Sequence, residues 1–171
     1  MHDATCLLEV ESIKQLKARY CRYLDAKDWV AWRNLFADDF VSDMADVGGP
    51  LITGADLFVA FNRKVLGRSY QPTVHQVHAP EINFTSATTA TGVWALNDVV
   101  WIAPGLTLNG YGHYHETYEK SDGHWRIKTS RVTRLREDIV SPLFSVRMSQ
   151  RMRSARARLV RRWTRGDAWK S

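Results

Sequence analysis

Residues 20–29, Tyr-Cys-Arg-Tyr-Leu-Asp-Ala-Lys-Asp-Trp, set one carboxylate, Asp25, beside two phenols, Tyr20 and Tyr23. Such an acid has three uses. It can be a helix-end group in solvent, a cap for the segment that follows, or a buried general base. Burial raises the proton affinity of a carboxylate unless cations or hydrogen-bond donors compensate. Its natural partner is an imidazole, because an Asp–His pair fixes the tautomer of the ring and makes it a base near neutral pH. His75 is the candidate. In Thr-Val-His-Gln-Val-His, strand alternation sets His75 and Val77 on one face and Val74, Gln76 and His78 on the other. A histidine sharing a face with valine is also what a core or rim residue looks like. The pair therefore does chemistry only if the fold brings His75 to Asp25.

Two further polar residues stand inside apolar strand patterns. Asp98, in Trp-Ala-Leu-Asn-Asp-Val-Val, either lines a pocket or faces solvent. Arg134, in Arg-Val-Thr-Arg-Leu-Arg-Glu-Asp, alternates with Val132 and Arg136. One or more of these arginines faces a cavity or a partner subunit, and periodicity does not choose among them. The spacings His75-x-x-His78 and His113-x-His115 invite a metal reading. Strand positions three apart point to opposite faces, however, and no acidic or cysteine ligand is placed to complete a zinc set. No metal is expected.

These residues need elements to hold them. Val10, Ile13, Leu16, Tyr20 and Leu24 recur at helical spacing, which predicts an amphipathic helix over 6–25. Asp28 can cap a short second helix that turns Trp29, Trp32, Leu35 and Phe36 inward. Residues 40–54, around Gly48-Gly49-Pro50, read as a short hairpin or irregular connection, and residues 55–66 as a third helix stopped by Gly67. Four segments rich in β-branched and aromatic residues follow, beginning at Thr73, Thr89, Thr107 and His124, with turn chemistry between them. Three helices and then about four long antiparallel strands is an α+β order. One twisted sheet wrapped around the helices would enclose an apolar pocket.

The 171 residues suit one domain, with 44% hydrophobic and 25% charged residues. No apolar run is long enough for a membrane span, and the N-terminus has acids where a signal peptide needs a basic start. The expectation is a cytoplasmic protein. Cys6 and Cys21 lie far apart along one helix, so they cannot pair, and free thiols fit a reducing compartment. The net charge of +6 belongs to the C-terminus: residues 146–171 carry nine Lys/Arg and one acid, while the rest carries a slight acidic excess. Met152, Ala155, Leu159 and Trp163 share one helical face there. The division expected is a folded domain over 1–141 and a basic extension over 142–171, helical or partly disordered. A solvated helix packed on a neighbouring subunit is favoured over membrane contact, and no base-reading motif accompanies the arginines. No nucleic acid partner is expected.

Taken together, Leu-Asp-Ala-Lys-Asp-Trp, Thr-Val-His-Gln-Val-His-Ala-Pro-Glu-Ile, Ala-Thr-Gly-Val-Trp-Ala-Leu-Asn-Asp and Tyr-Glu-Lys-Ser-Asp-Gly-His-Trp-Arg-Ile resemble the SnoaL-like branch of the NTF2-like superfamily. The likeness runs over residues 8–140 and is similar in particular to scytalone dehydratase, the bile-acid dehydratase and the lindane dehydrochlorinase. It implies a cone-shaped α+β barrel, with three N-terminal helices packed on a curved, mostly antiparallel sheet around one apolar pocket. It implies a His–Asp dyad that works without metal or organic cofactor: Asp25 and His75, rather than His78, with Tyr20, Asp98 and Arg134 as the accompanying catalytic set. Tyr23, Phe61, His78, Trp94, Tyr114 and Tyr118 are the expected pocket residues. Two departures stand out. Leu24 replaces the tyrosine that precedes the acid in the scytalone enzyme, and Tyr114 stands where that enzyme has a pocket asparagine. They argue against scytalone as substrate.

The function so implied is a dehydratase-type lyase acting on a hydrophobic polycyclic, steroid-like or polyketide-like molecule. An isomerase or cyclase using the same dyad is the alternative, and a non-catalytic ligand-binding module the third reading. Self-association as a trimer, as in the dehydratases, is favoured over a dimer.

Overall fold

The computed structural model describes residues 3–164. Helix α1 spans Asp3–Ala26 and buries Ile13, Leu16, Tyr20, Cys21 and Leu24, the stripe its spacing predicts. Lys17 lies on the same stripe and is fully buried. Asp28 caps the short α2, Trp29–Arg33, accepting from Ala31 N at 3.1 Å. The inward aromatic run then splits between two elements. Trp32 belongs to α2, but Phe36 opens strand β1, Phe36–Asp43. Strand β2, Leu51–Thr53, pairs back on β1 across a 3-10 turn at Ala45–Val47, and α3, Ala55–Leu66, follows.

Four long strands follow: β3, Thr73–Phe84; β4, Thr89–Ala103; β5, Leu106–Ser121; and β6, His124–Val140. They form an antiparallel meander. The sequence pattern did not anticipate that β1 would join this sheet, running parallel to β6. The order is β2-β1-β6-β5-β4-β3, a curved sheet that stays unclosed. Bulges help bend it: the β5–β6 register shifts at Tyr111/Gly112 and again at Thr117/Tyr118. Gly112 is required at the first, because any Cβ there would overlap the carbonyl oxygen of Thr133.

The core lies between the concave sheet face and α1–α3, with Trp32, Phe36, Phe40 and Phe58 stacked edge and face at centroid distances of 4.6–5.3 Å. Beyond residue 141 the chain is tied to the sheet rather than hanging from it. Ser145–Arg147 forms strand β7 on β6, and α4 runs over Gln150–Thr164. The first part of the basic extension is thus strand rather than helix, because Val146 pairs with Ile139 in the sheet. Met152 and Leu159 are exposed on α4, while the side chain of Trp163 and residues 165–171 lie outside the described residues. No helix among the described residues is long and apolar enough to cross a membrane. Cys6 and Cys21 are both free.

Candidate active site

The concave face, α1 and α3 enclose a largely apolar cavity of about 270 Å³. Leu24, Phe58, Phe61, Val65, Val100 and Val132 form much of its wall. Polar groups enter at two places.

The first is the meeting of α1 and β3. The Asp25 carboxylate comes from the last turn of α1, and His75 from the start of β3. His75 Nδ1 lies 2.7 Å from Asp25 Oδ1, and the His75 backbone N–H donates to Asp25 Oδ2 at 2.8 Å. An ionised carboxylate only accepts, so in the neutral ring Nδ1 carries the proton and Nε2 the lone pair. The His75 side chain is 6% exposed and lines the cavity; Asp25 is 25% exposed. Thr73, two residues before His75 on the same strand face, adds a third donor to Asp25 at 2.8 Å. Sequence reasoning missed Thr73, although strand alternation puts it on the same face as His75.

The same cavity is lined by Tyr20 and Tyr114, whose rings meet edge to face at a centroid distance of 5.8 Å. Burial holds both phenols well above the usual tyrosine range. The Glu116 charge adds to the effect at Tyr20, and the neighbouring Tyr20 adds to it at Tyr114. Both are thus protonated donors near neutral pH. Beneath them Lys17 is sealed in, with its Nζ 3.5 Å from the Tyr114 ring centroid and 4.0 Å from that of Tyr20. Its ammonium pairs with Glu116 at 2.6 Å. Lys17 and Glu116 were not anticipated. A lysine on a buried helix stripe was the available signal.

The second polar region is a chain of charges on the sheet. Asp98 pairs with Arg134, Arg134 Nε lies 3.4 Å from Glu137, and Glu137 accepts from Arg156 of α4 at 2.8 Å. The four formal charges cancel, as burial demands. Asp98 sits opposite His75 in the β3–β4 register, so both strands bring their polar side chains to the same face. Gly110 makes room for the pair, since a Cβ there would run into Asp98 Oδ1 and Arg134 Nη1.

Of the expected residues, Tyr20, His75, Asp98, Arg134, Phe61 and Tyr114 line the cavity, with Asp25 behind His75. Four expected pocket residues do not. His78 is exposed on the outer face of β3, as alternation from His75 requires. Tyr23 packs half-buried against the core with Arg22 stacked on its ring. Trp94 and Tyr118 are buried below the cavity: Trp94 Nε1 donates to Tyr118 OH at 2.7 Å, and that hydroxyl donates to Glu116 at 2.6 Å. Their pleat parity is inward, but the cone has narrowed to solid core at their level. Among the described residues no group of three His, Cys, Asp or Glu is placed to hold a metal ion.

Comparison with known proteins agrees with this architecture. The chain aligns at 24% identity over 135 residues with "Probable cyclase FGR4" of Gibberella zeae, covering 72% of this chain and 89% of that one. The fold superimposes on hexachlorocyclohexane dehydrochlorinase LinA-type3 from Novosphingobium barchaimii LL02 with a TM-score of 0.69 at 13% identity, over 86% and 95% of the two chains. It superimposes on a protein of Novosphingobium aromaticivorans that bears a provisional scytalone dehydratase name with a TM-score of 0.71 at 20% identity, over 85% and 91%. At these identities the structures speak for the fold alone. The family assignment comes from the sequence model of the SnoaL-like domain, which matches residues 6–131 and so takes in both members of the Asp25–His75 pair. The chain belongs to the SnoaL-like domain family.

Proposed function

We propose that the protein is an enzyme that carries out a cofactor-independent elimination of water from a hydrophobic, ring-containing small molecule. The observation that carries this reading is the Asp25–His75 contact on the wall of an apolar cavity. In the proposed step, His75 Nε2 removes a proton from a carbon next to a carbonyl. The C–H electron pair passes onto the carbonyl as an enolate, and the enolate collapses to the new double bond as the C–O bond at the adjacent carbon breaks. The leaving oxygen takes a proton from the imidazolium and departs as water, which restores the neutral base without a co-reactant. Asp25 holds the ring and balances the imidazolium. Tyr20 and Tyr114, both protonated donors, stabilise the developing enolate oxygen, with the Arg134 guanidinium as the nearby cation. Donors of this kind work best where water is excluded.

The cavity is close to the lower bound of ordinary small-molecule sites, about 300 Å³. That favours a compact ring-containing ligand; the polyketide-like or steroid-like class comes from the family resemblance. The relative named as a cyclase supports a second reading, in which the same base drives ring closure or a double-bond shift. Product mass separates the two, because elimination loses water and isomerisation does not. His75→Ala is expected to lower turnover by about 10²–10⁴-fold, the range of a general base, with the fold intact by circular dichroism. Near-normal turnover in that variant would sink the dyad.

A further inference from the structure

Asp25 belongs to the last turn of α1, and the way that helix ends bears on the site. The Lys27 N–H donates to Leu24 O at 3.2 Å and the Asp28 N–H to Tyr23 O at 2.9 Å. This is a Schellman closure with Lys27 at the left-handed position, at a φ of 59°. Glycine is the residue that position favours, since a side chain there is strained. The lysine makes a contact no glycine could make. Its Nζ donates to Thr73 Oγ1 at 2.7 Å, and Thr73 Oγ1 lies 2.8 Å from Asp25 Oδ1.

The directions of these bonds follow from valence. An ammonium only donates and a carboxylate only accepts. The single hydroxyl proton of Thr73 therefore points to Asp25, and its lone pair receives Lys27. Chains of this kind polarise one another. The charge of Asp25 supports the Lys27 ammonium, while burial, the larger effect, pulls its pKa below the usual lysine value. Lys27 and Thr73 stand apart from the cavity lining, so neither is placed to touch a ligand.

We propose that Lys27 and Thr73 are positioning residues of the base. They form a one-way donor chain that locks the Asp25 carboxylate in the orientation receiving the His75 Nδ1 proton, and so keep the lone pair of Nε2 turned to the cavity. The inference rests on the reading of Asp25–His75 as the base. It makes the turn after α1 part of the active-site apparatus, and it explains why a strained lysine occupies a glycine position.

The test needs no substrate. Full-length protein carrying ¹⁵N-labelled histidine is examined by NMR, with the His75 signals assigned by comparison with His75→Gln. The wild type is expected to show a single Nδ1–H tautomer whose proton exchanges slowly with water. In Thr73→Val and Lys27→Gly that exchange should quicken about tenfold, the worth of one charge-assisted hydrogen bond, with the Nε2–H tautomer entering. Thr73→Ser should restore the wild-type signature. Lys27→Gly is the decisive variant, because it relieves backbone strain while removing the donor. A structural role alone would leave the imidazole signature unmoved in a protein of equal or greater stability. Wild-type tautomer and exchange in Lys27→Gly, or failure of Thr73→Ser to rescue, overturns the proposal. If Thr73→Val does not fold, Lys27→Gly and Thr73→Ser still decide it. An intact relay in a protein that turns over no dehydratase substrate would refute the assigned reaction and leave the relay standing.

Discussion

Asp25 is set where a carboxylate is electrostatically misplaced, because the C-terminus of a helix presents its carbonyl dipoles. Its stability there depends on the donors that converge on it: the Thr73 hydroxyl, the His75 backbone N–H and the His75 ring. Helical spacing set the acid at a helix end and alternation put His75 and His78 on opposite faces, while the choice of His75 came from the family resemblance. What alternation could not give was depth in the cone, so Trp94 and Tyr118 share the inward face yet lie below the cavity. The buried phenols lead to a prediction. Burial holds Tyr20, Tyr114 and Tyr118 well above the ordinary tyrosine value. In the unfolded chain they ionise near pH 10. Above that pH the unfolded state binds fewer protons than the folded one, so stability falls as pH rises. The chemical denaturation midpoint should be flat up to about pH 9 in this respect and fall beyond about pH 10. Spectrophotometric titration should show three of the six tyrosines ionising only on unfolding. Ionisation of all six with an ordinary midpoint in the folded protein would contradict this. Cys21, pushed up to about 11 mainly by burial, should likewise resist alkylation.

At the scale of elements, α1 joins core and site on one helix. Its apolar stripe was legible, and so was its end near Asp25. The lysine on that stripe was not interpretable without its partner, because Glu116 lies 99 residues away on β5. Lys17→Met removes one half of a sealed ion pair and leaves Glu116 uncompensated. The expected cost is about 3–5 kcal/mol, read as a fall in unfolding free energy. Lys17→Met with Glu116→Gln should recover part of it, and a double variant no better than the single would show that the charge is not the cause. The turn after α1 behaves oppositely. Lys27→Gly should raise stability, by about 1 kcal/mol at most, because the left-handed strain of a side chain is relieved. A marked loss on thermal unfolding would mean that the lysine contacts outweigh that strain.

At the scale of the whole molecule, the C-terminal end adds most to the sequence reading. A basic extension was expected beyond residue 141, and its packing on a neighbouring subunit stays a proposal. Within one chain, β7 pairs with β6, and α4 brings Arg156 to the cavity, where it bonds Glu137 and the carbonyl oxygen of Val47 at 3.1 Å. Deleting residues 149–171 should leave Asp25 and His75 in contact but strand the buried Glu137 charge, lowering the melting temperature. Glu137→Gln in the truncated chain should restore much of that loss. If truncation leaves the melting temperature unchanged, α4 contributes nothing to the fold and the arginine-rich segment serves elsewhere. Trimeric assembly, favoured by resemblance, remains a proposal, with sedimentation equilibrium as its measurement.

The sequence by itself determined the α+β order, the four long strands, the helix ending at Asp25 and the face on which His75 stands. All of these follow from local periodicity, turn chemistry and capping, which act over a few residues. Tertiary structure alone decided which of those residues meet. The parallel seating of β1 on β6, the Lys17–Glu116 pair, the Lys27–Thr73–Asp25 chain and the reach of Arg156 all join positions 19 to 109 residues apart. Periodicity assigns a side chain to a face. How far down a closing cone that face lies, and what stands opposite, depends on how the sheet bends, and the bulges and glycines of β5 set that bend through contacts with other strands.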